Sequence, residues 1–124
     1  MVKYLKLNDI DAYKKSLKLS NYVWSIVMKW EWFEKKTVGM QFVEAVDSIS
    51  ALIAEGFGRF FKKDKILFYR MAKGSVTESL DWNFKSKVRK LLSEREYSEI
   101  LKILNELPKD INQLIQFTNS KLQN

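Results

Sequence analysis

Small side chains recur at helical intervals through an otherwise apolar stretch, residues 41–79. These small residues are Ala45, Ser48, Ala51, Ala54, Ala72, Gly74, Ser75 and Ser79. Small residues let two helices approach closely, whereas an acid on a packed face needs a partner. Two acids, Glu55 and Glu78, interrupt the same pattern. The stretch therefore predicts two tightly packed helices with a polar layer between them.

The composition favours long helices in one soluble domain. The chain has 124 residues, of which 46% are hydrophobic and 30% are charged, which is typical of a globular protein that buries a core. Only one proline and four glycines occur, so few turns are expected. No segment shows the alternation of apolar and polar residues that a strand requires.

The residue types exclude several chemistries. The chain contains no cysteine and no histidine, which removes disulfides, thiol nucleophiles, imidazole catalysis and zinc sites with these ligands. The glycines at Gly56 and Gly58 lack the preceding strand and the length of a phosphate-binding loop. We therefore expect no enzyme activity, no catalytic residues, no metal and no cofactor.

The sequence predicts a cytoplasmic protein without a membrane partner. No uninterrupted apolar run approaches the roughly 18 residues of a membrane-spanning helix, so we expect no such helix. The N-terminal residues also lack the apolar region of a signal peptide.

Four segments carry apolar residues at helical spacing, and cap residues mark their starts. Thr37 and Asp64 are predicted caps of the second and third helices, and Ser93 with Glu96 forms a capping box before the fourth. Pro108 lies inside the fourth helix and is predicted to kink it. The predicted helices cover residues 9–33, 38–59, 64–92 and 94–121 of a single domain, 1–124.

Short links between these segments favour antiparallel neighbours, which predicts an all-α, antiparallel up-down-up-down four-helix bundle. Gly74 in mid-helix costs about 1 kcal/mol relative to alanine, so we expect another helix to approach closely there. The wide apolar face of the first helix indicates contact with more than one neighbour. We interpret Trp24, Trp30 and Trp32 as packing residues rather than as a base-stacking platform.

Two blocks of the stretch resemble the 23S ribosomal-RNA intervening-sequence protein family, which is related to the accessory proteins of diversity-generating retroelements. The first block matches at Gln41, Ala45, Ser48, Ile49, Ile53, Ala54, Glu55, Gly56 and Arg59. The second block matches at Ala72, Gly74, Ser75 and Glu78.

Some positions depart from the family pattern. Where the family has arginines before the alanine, this chain has Val43 and Glu44. Where the family has a proline and an asparagine, this chain has Ser50 and Leu52. The missing arginines weaken any interpretation that places nucleic-acid binding on the second helix, and the missing asparagine indicates an altered polar layer.

The resemblance implies an antiparallel four-helix bundle that assembles into a ring-like homopentamer. It also implies possible partners for this chain: RNA or DNA, and a reverse transcriptase or another protein. The function predicted on this basis is a non-enzymatic accessory factor that binds nucleic acid through a basic surface. A protein–protein assembly scaffold without a nucleic-acid role is the alternative.

A polar cluster is predicted between the second and third helices. Glu55 and Arg59 are four residues apart, in the orientation that favours a helical ion pair. We expect them to form a structural cluster with Ser48, Ser75 and Glu78 that fixes the packing. A metal site or an acid–base pair at Glu55 and Glu78 is the alternative.

The formal charge of +7 is compatible with an anionic partner. A first basic group is the candidate nucleic-acid surface: Arg59, Lys62, Lys63, Lys65, Arg70 and Lys73. A second group follows on the same helix: Lys85, Lys87, Arg89 and Lys90. Such groups make salt-sensitive phosphate contacts, or else form a solvated face with ion pairs to nearby acids.

Overall fold

The computed structural model describes residues 6–121, which fold into an all-α bundle without a strand in that range. A short 3-10 turn, Leu7–Asp9, precedes the helices. The four helices are α1 (Asp11–Val27), α2 (Trp32–Gly58), α3 (Lys62–Val88) and α4 (Glu94–Lys121). The first turns of α2 include a π-helical segment, Lys35–Gly39.

Contacts between α1 and α4 show that these two helices are antiparallel. Lys15 Nζ lies 2.9 Å from Asp110 Oδ2, and seven residues later Tyr22 Oη donates a 2.5 Å hydrogen bond to Glu99. Residue numbers therefore rise along α1 as they fall along α4.

The same reversal relates α3 to α4. Lys73 Nζ donates to Asn112 Oδ1 at 2.8 Å, and Asn83 Nδ2 donates to the Tyr97 carbonyl at 3.3 Å. Consecutive helices pack against each other, and α1 closes the ring of four against α4. The predicted four-helix bundle is thus confirmed.

The first link lies elsewhere than predicted. Helix α1 ends at Val27, six residues earlier than expected, and a turn at residues 28–31 leads into α2 at Trp32. The predicted link, residues 34–37, is helical instead. A Cβ placed on Gly39 would lie 2.6 Å from Val27 Cγ1, so Gly39 allows the start of α2 to pack directly on the end of α1.

The remaining helix ends agree more closely with the sequence. Helix α3 begins two residues earlier and ends four residues earlier than predicted, and α4 covers the predicted residues. The predicted capping box is confirmed, because Ser93 N donates to Glu96 Oε1 at 2.9 Å and Glu96 N donates to Ser93 Oγ at 3.0 Å. Helix α4 continues without a break through Pro108.

The seam between α2 and α3 contains small residues, as predicted, but not at every position. Ala45 of α2 and Ala72 and Ser79 of α3 are buried. Gly56 is the close contact, since its Cβ would lie 2.7 Å from the Tyr69 ring. The expectation for Gly74 is wrong: the residue is exposed, and a Cβ there would meet nothing within 4 Å.

Helix α2 is long and apolar enough to cross a membrane by length and composition, so the expectation that no segment reaches this length is wrong by that criterion. One face of the helix is packed between α1 and α3, and Phe42, Val46, Ile49 and Ile53 are fully buried on that face. A core helix of a bundle meets the same criterion, so the observation is weak support for a membrane segment.

Candidate interaction surfaces

The predicted pair between Glu55 and Arg59 is confirmed, but it lies at the surface. Arg59 Nη2 is 2.8 Å from Glu55 Oε2, and the two side chains are 45% and 52% exposed. The guanidinium also lies 4.5 Å from the centre of the Phe68 ring on α3, a cation–π distance. The pair links the end of α2 to α3 without being buried.

The other members of the predicted polar cluster do not join this pair. Ser48 donates back to the Glu44 carbonyl on its own helix at 2.8 Å. Ser75 is half-buried and Glu78 is exposed, and neither makes a side-chain hydrogen bond or ion pair with Glu55 or Arg59. The five residues therefore form no single buried cluster, because the helical twist turns the acids of α2 and α3 outward.

The acids also give no metal site in the part of the chain that is described. Residues 6–121 contain no group of three or more acidic side chains close enough to hold a metal ion.

Lys65, one of the predicted nucleic-acid contacts, makes contacts within the bundle. Its Nζ donates a 2.6 Å hydrogen bond to the Phe57 carbonyl in the last turn of α2 and lies 5.4 Å from the centre of the Phe57 ring. Burial lowers the pKa of Lys65. The side chain satisfies a carbonyl at a helix C-terminus, where a cation is favourable.

Two further lysines of the first basic group bond to α4. Lys73 Nζ donates to Asn112 Oδ1 at 2.8 Å, and Lys62 Nζ donates to the Asn119 carbonyl at 3.4 Å. These hydrogen bonds join α3 to α4, so both lysines make contacts within the bundle.

Lys63 and Arg70 remain as the accessible part of the first basic group. They are exposed and seven residues apart on α3, which places them on one face of the helix. Neither side chain makes an ion pair or hydrogen bond to another residue within 6–121. This face, defined by Lys63 and Arg70, is called the α3 basic face below.

The second basic group is divided in the same way. Lys85 pairs with Asp81 at 2.7 Å and lies 4.6 Å from the centre of the Trp82 ring. Lys87 lies 3.7 Å from Glu94. Arg89 and Lys90 are exposed and have no ion pair within residues 6–121.

A stretch of α2 carries acids but no basic residue. From residue 37 to 58 the chain carries three acids and no lysine or arginine. Of these acids, Glu55 is paired with Arg59, whereas Glu44 and Asp47 are exposed and unpaired within the described residues. This stretch of α2 is therefore negative, whereas α3 carries seven lysines and arginines against three acids.

Helix α1 presents an apolar face outside the core. Leu17, Trp24 and Met28 are 39%, 54% and 51% exposed. Leu17 and Trp24 are seven residues apart on one side of α1, and Met28 follows in the turn directly after the helix. This surface is called the α1 apolar face below.

The tryptophans divide between core and surface. Trp30 packs against the core, as expected, but Trp32 is 70% exposed because it begins α2 instead of extending α1. Packing therefore explains Trp30 within one chain, whereas Trp24 and Trp32 remain more than half exposed.

A polar seam between α1 and α4 was not anticipated from the sequence. Lys15 bridges Glu106 at 3.2 Å and Asp110 at 2.9 Å, and the hydrogen bond from Tyr22 to Glu99 lies two turns further along α1. These partners are 77 to 95 residues apart in the chain, so no local pattern could have revealed them.

The family model for the 23S rRNA-intervening sequence protein matches residues 8–113. A crystal structure of a protein of unknown function from the S23 ribosomal protein family of Bacteroides thetaiotaomicron is similar, with a TM-score of 0.74 and 18% identity over 84% of this chain and 97% of that chain. Among curated proteins no match is found. At this identity the solved structure shows the fold alone.

Proposed function

The chain belongs to the 23S rRNA-intervening sequence protein family, and we propose that it is a non-enzymatic helical bundle that self-associates and presents a surface to a partner. The α1 apolar face carries the proposal. Soluble monomers rarely leave large apolar side chains exposed together, and such patches mark interaction sites. The family resemblance implies that the assembly contains five copies of the chain.

Self-association would cover the side chains that one chain leaves exposed. Trp24 and Met28 are each about half exposed, and burial gains roughly 25 cal/mol for each Å² of apolar surface removed from water. Tryptophan is also the residue type most often found at the energetic centre of an interface.

The test measures mass by light scattering at micromolar concentration. We expect a multiple of the 14.7 kDa chain mass for the wild type and a smaller mass for Trp24→Ser with Met28→Ser. Phe84→Ser is the control, because Phe84 is similarly exposed, at 56%, but lies on α3. A wild-type mass of one chain would overturn the proposal, as would equal masses for the double variant and the wild type.

Nucleic-acid binding is a second candidate function, favoured by the α3 basic face. Lys63 and Arg70 are free of internal ion pairs, and the acids of α2 lie on another helix. An unmasked cluster of cations attracts phosphate without reading sequence. In an assembly of several copies this face would be repeated, which would increase the local potential.

The test is fluorescence anisotropy of a labelled single-stranded RNA at increasing salt. Lys63→Glu with Arg70→Glu should weaken binding and make the dependence on salt shallower by about 1.4 in the logarithmic slope, if both cations contact phosphates. Lys102→Glu with Lys109→Glu is the matched control, with the same charge change and spacing on α4. Unchanged affinity in the α3 variant would contradict this function.

A further inference from the structure

A cavity of about 390 Å³ opens where the start of α2 meets the end of α3. Its lining residues are Phe33, Glu34, Thr37, Val38, Trp82, Arg89 and Leu91. Small-molecule sites are typically concave, mostly apolar and provided with a few polar groups that orient the ligand. This cavity has that character, and its volume lies within the usual range of roughly 300–1,000 Å³.

Two opposite charges line the cavity without meeting each other. Glu34 and Arg89 are not within ion-pair distance, and neither has an ion pair elsewhere in residues 6–121. A guanidinium presents a planar set of donors that suits phosphate, whereas a carboxylate accepts hydrogen bonds from an amino group. The space between the two groups therefore suits a ligand with an anionic end and a donating end.

Aromatic side chains supply the walls. Phe33 is 65% exposed, and Trp82 lies on the opposite helix at the same cavity. Exposed aromatic rings provide the faces on which nucleic-acid bases stack. The backbone beside them is unusual, because the π-helical segment Lys35–Gly39 contributes Thr37 and Val38 to the lining, and π-helical turns occur frequently at functional sites.

We propose that this cavity binds a nucleoside monophosphate group, with the base against Phe33, its exocyclic amine donating to Glu34, and the phosphate at Arg89. This group is common to a free nucleotide and to one unpaired nucleotide of a single-stranded RNA. The inference goes beyond the proposed function: the cavity lies at the opposite end of the bundle from Lys63, so either site can fail while the other stands.

Adenosine 5′-monophosphate is the probe, and the indole N–H signal of Trp82 in a ¹H–¹⁵N spectrum is the readout. Trp82→Phe identifies that signal among the four tryptophans. We expect a saturable shift with the nucleotide and binding about tenfold weaker for adenosine, which lacks the phosphate, because a charge-assisted hydrogen bond contributes about that factor.

Variants separate the roles of the lining residues. Arg89→Gln should weaken nucleotide binding about tenfold, and Phe33→Leu about fivefold or more through lost stacking. Arg95→Gln is the control, because Arg95 is an exposed arginine near the same end of the bundle that does not line the cavity. Both Phe33 and Arg89 are exposed, so these changes should leave the fold intact.

A single-stranded oligoadenylate distinguishes a free nucleotide from an unpaired nucleotide of RNA as the ligand. An affinity well above that of the mononucleotide, lost in Arg89→Gln, assigns the site to RNA, and equal affinities assign it to a free nucleotide. Absence of a saturable shift at millimolar nucleotide would overturn the inference. It would equally be overturned if Arg89→Gln bound like the wild type, or if the Trp82 signal moved only with protein concentration, which would indicate a second copy in the cavity.

Discussion

Gly56 of α2 lies directly against the ring of Tyr69 on α3. A Cβ at Gly56 would be 2.7 Å from Tyr69 Cε1 and 3.0 Å from Phe68 Cβ. Tyr69 is only 1% exposed, so its ring has no free space into which to move. This contact fixes how closely α2 and α3 approach, because an added methyl group at Gly56 would have to push the two helices apart.

Gly56→Ala should destabilise the protein by about 1–3 kcal/mol, the usual cost of overpacking a filled interior. Urea unfolding followed by circular dichroism measures the change. Gly74→Ala is the control on the neighbouring helix and should stabilise the isolated chain by up to about 1 kcal/mol, since its Cβ would meet open space. A neutral effect at Gly56 would show that the helices can separate without loss of packing.

Lys65 is expected to matter for stability and not for nucleic-acid binding. Removal of its hydrogen bond to the Phe57 carbonyl by Lys65→Met should cost about 1 kcal/mol, the typical net value of such a bond. The affinity for single-stranded RNA should stay unchanged, in contrast to Lys63→Glu. Thermal unfolding and anisotropy on the same samples test both statements, and a Lys65→Met variant that loses RNA affinity without losing stability would reverse the assignment.

Much of the fold could be predicted from the sequence because its determinants are local. The capping box of Ser93 and Glu96 requires only residues three apart, and it fixes the start of α4. The short links then favour antiparallel packing of consecutive helices. The end of α1 could not be located in this way, because the turn after Val27 has no glycine or proline and is set by the contact of Gly39 with Val27.

The candidate surfaces were less predictable because composition does not show which way a side chain points. Lys63 and Lys65 are two residues apart, yet one is exposed and the other caps α2. The sequence predicts a close helix contact at Gly74 and none at Gly56, yet of these two glycines Gly56 is in contact and Gly74 is not. The partners of Tyr22 and Lys15 lie on α4, so the polar seam depends on tertiary structure alone.

Lys90 carries a backbone strain that glycine would relieve. It is the one described non-glycine residue with positive φ, at 63°, and it follows the end of α3, where the Leu91 N–H returns to the Ser86 carbonyl at 2.8 Å. Helices often end in this way with glycine in the left-handed position. Lys90→Gly should therefore stabilise the protein by up to about 1 kcal/mol in urea unfolding, and Arg89→Gly, outside that conformation, should not.

The hydrogen bond from Tyr22 to Glu99 should appear in the dependence of stability on alkaline pH. Burial, together with the bond to Glu99, raises the pKa of Tyr22 from 10.0 to about 12. The folded protein thus holds this proton more tightly than the unfolded chain does, so the contribution to stability is fully present below pH 10 and is lost between about pH 10 and 12.

Tyr22→Phe should make the loss of stability across that range shallower without abolishing it. Burial also raises the pKa of Tyr69 to about 12, so that residue still contributes a loss over the same range. Urea unfolding at several pH values measures the slope. If the free energy of unfolding fell with pH equally steeply in Tyr22→Phe and in the wild type, the raised pKa of Tyr22 would be contradicted.

The same bond acts in the opposite direction on Glu99 at acid pH. The hydrogen bond from Tyr22, together with the hydrogen bond and the charge of Arg95, lowers the pKa of Glu99 below its ordinary value of 4.5. A lowered pKa means stability that is present above the ordinary value and lost as the pH falls through the folded value. Tyr22→Phe should move the pKa of Glu99 back toward 4.5, which carboxyl ¹³C NMR measures directly. Arg95→Gln should also move it toward 4.5, because Arg95 both donates a hydrogen bond to Glu99 and attracts its charge, and an unchanged pKa in both variants would contradict these causes.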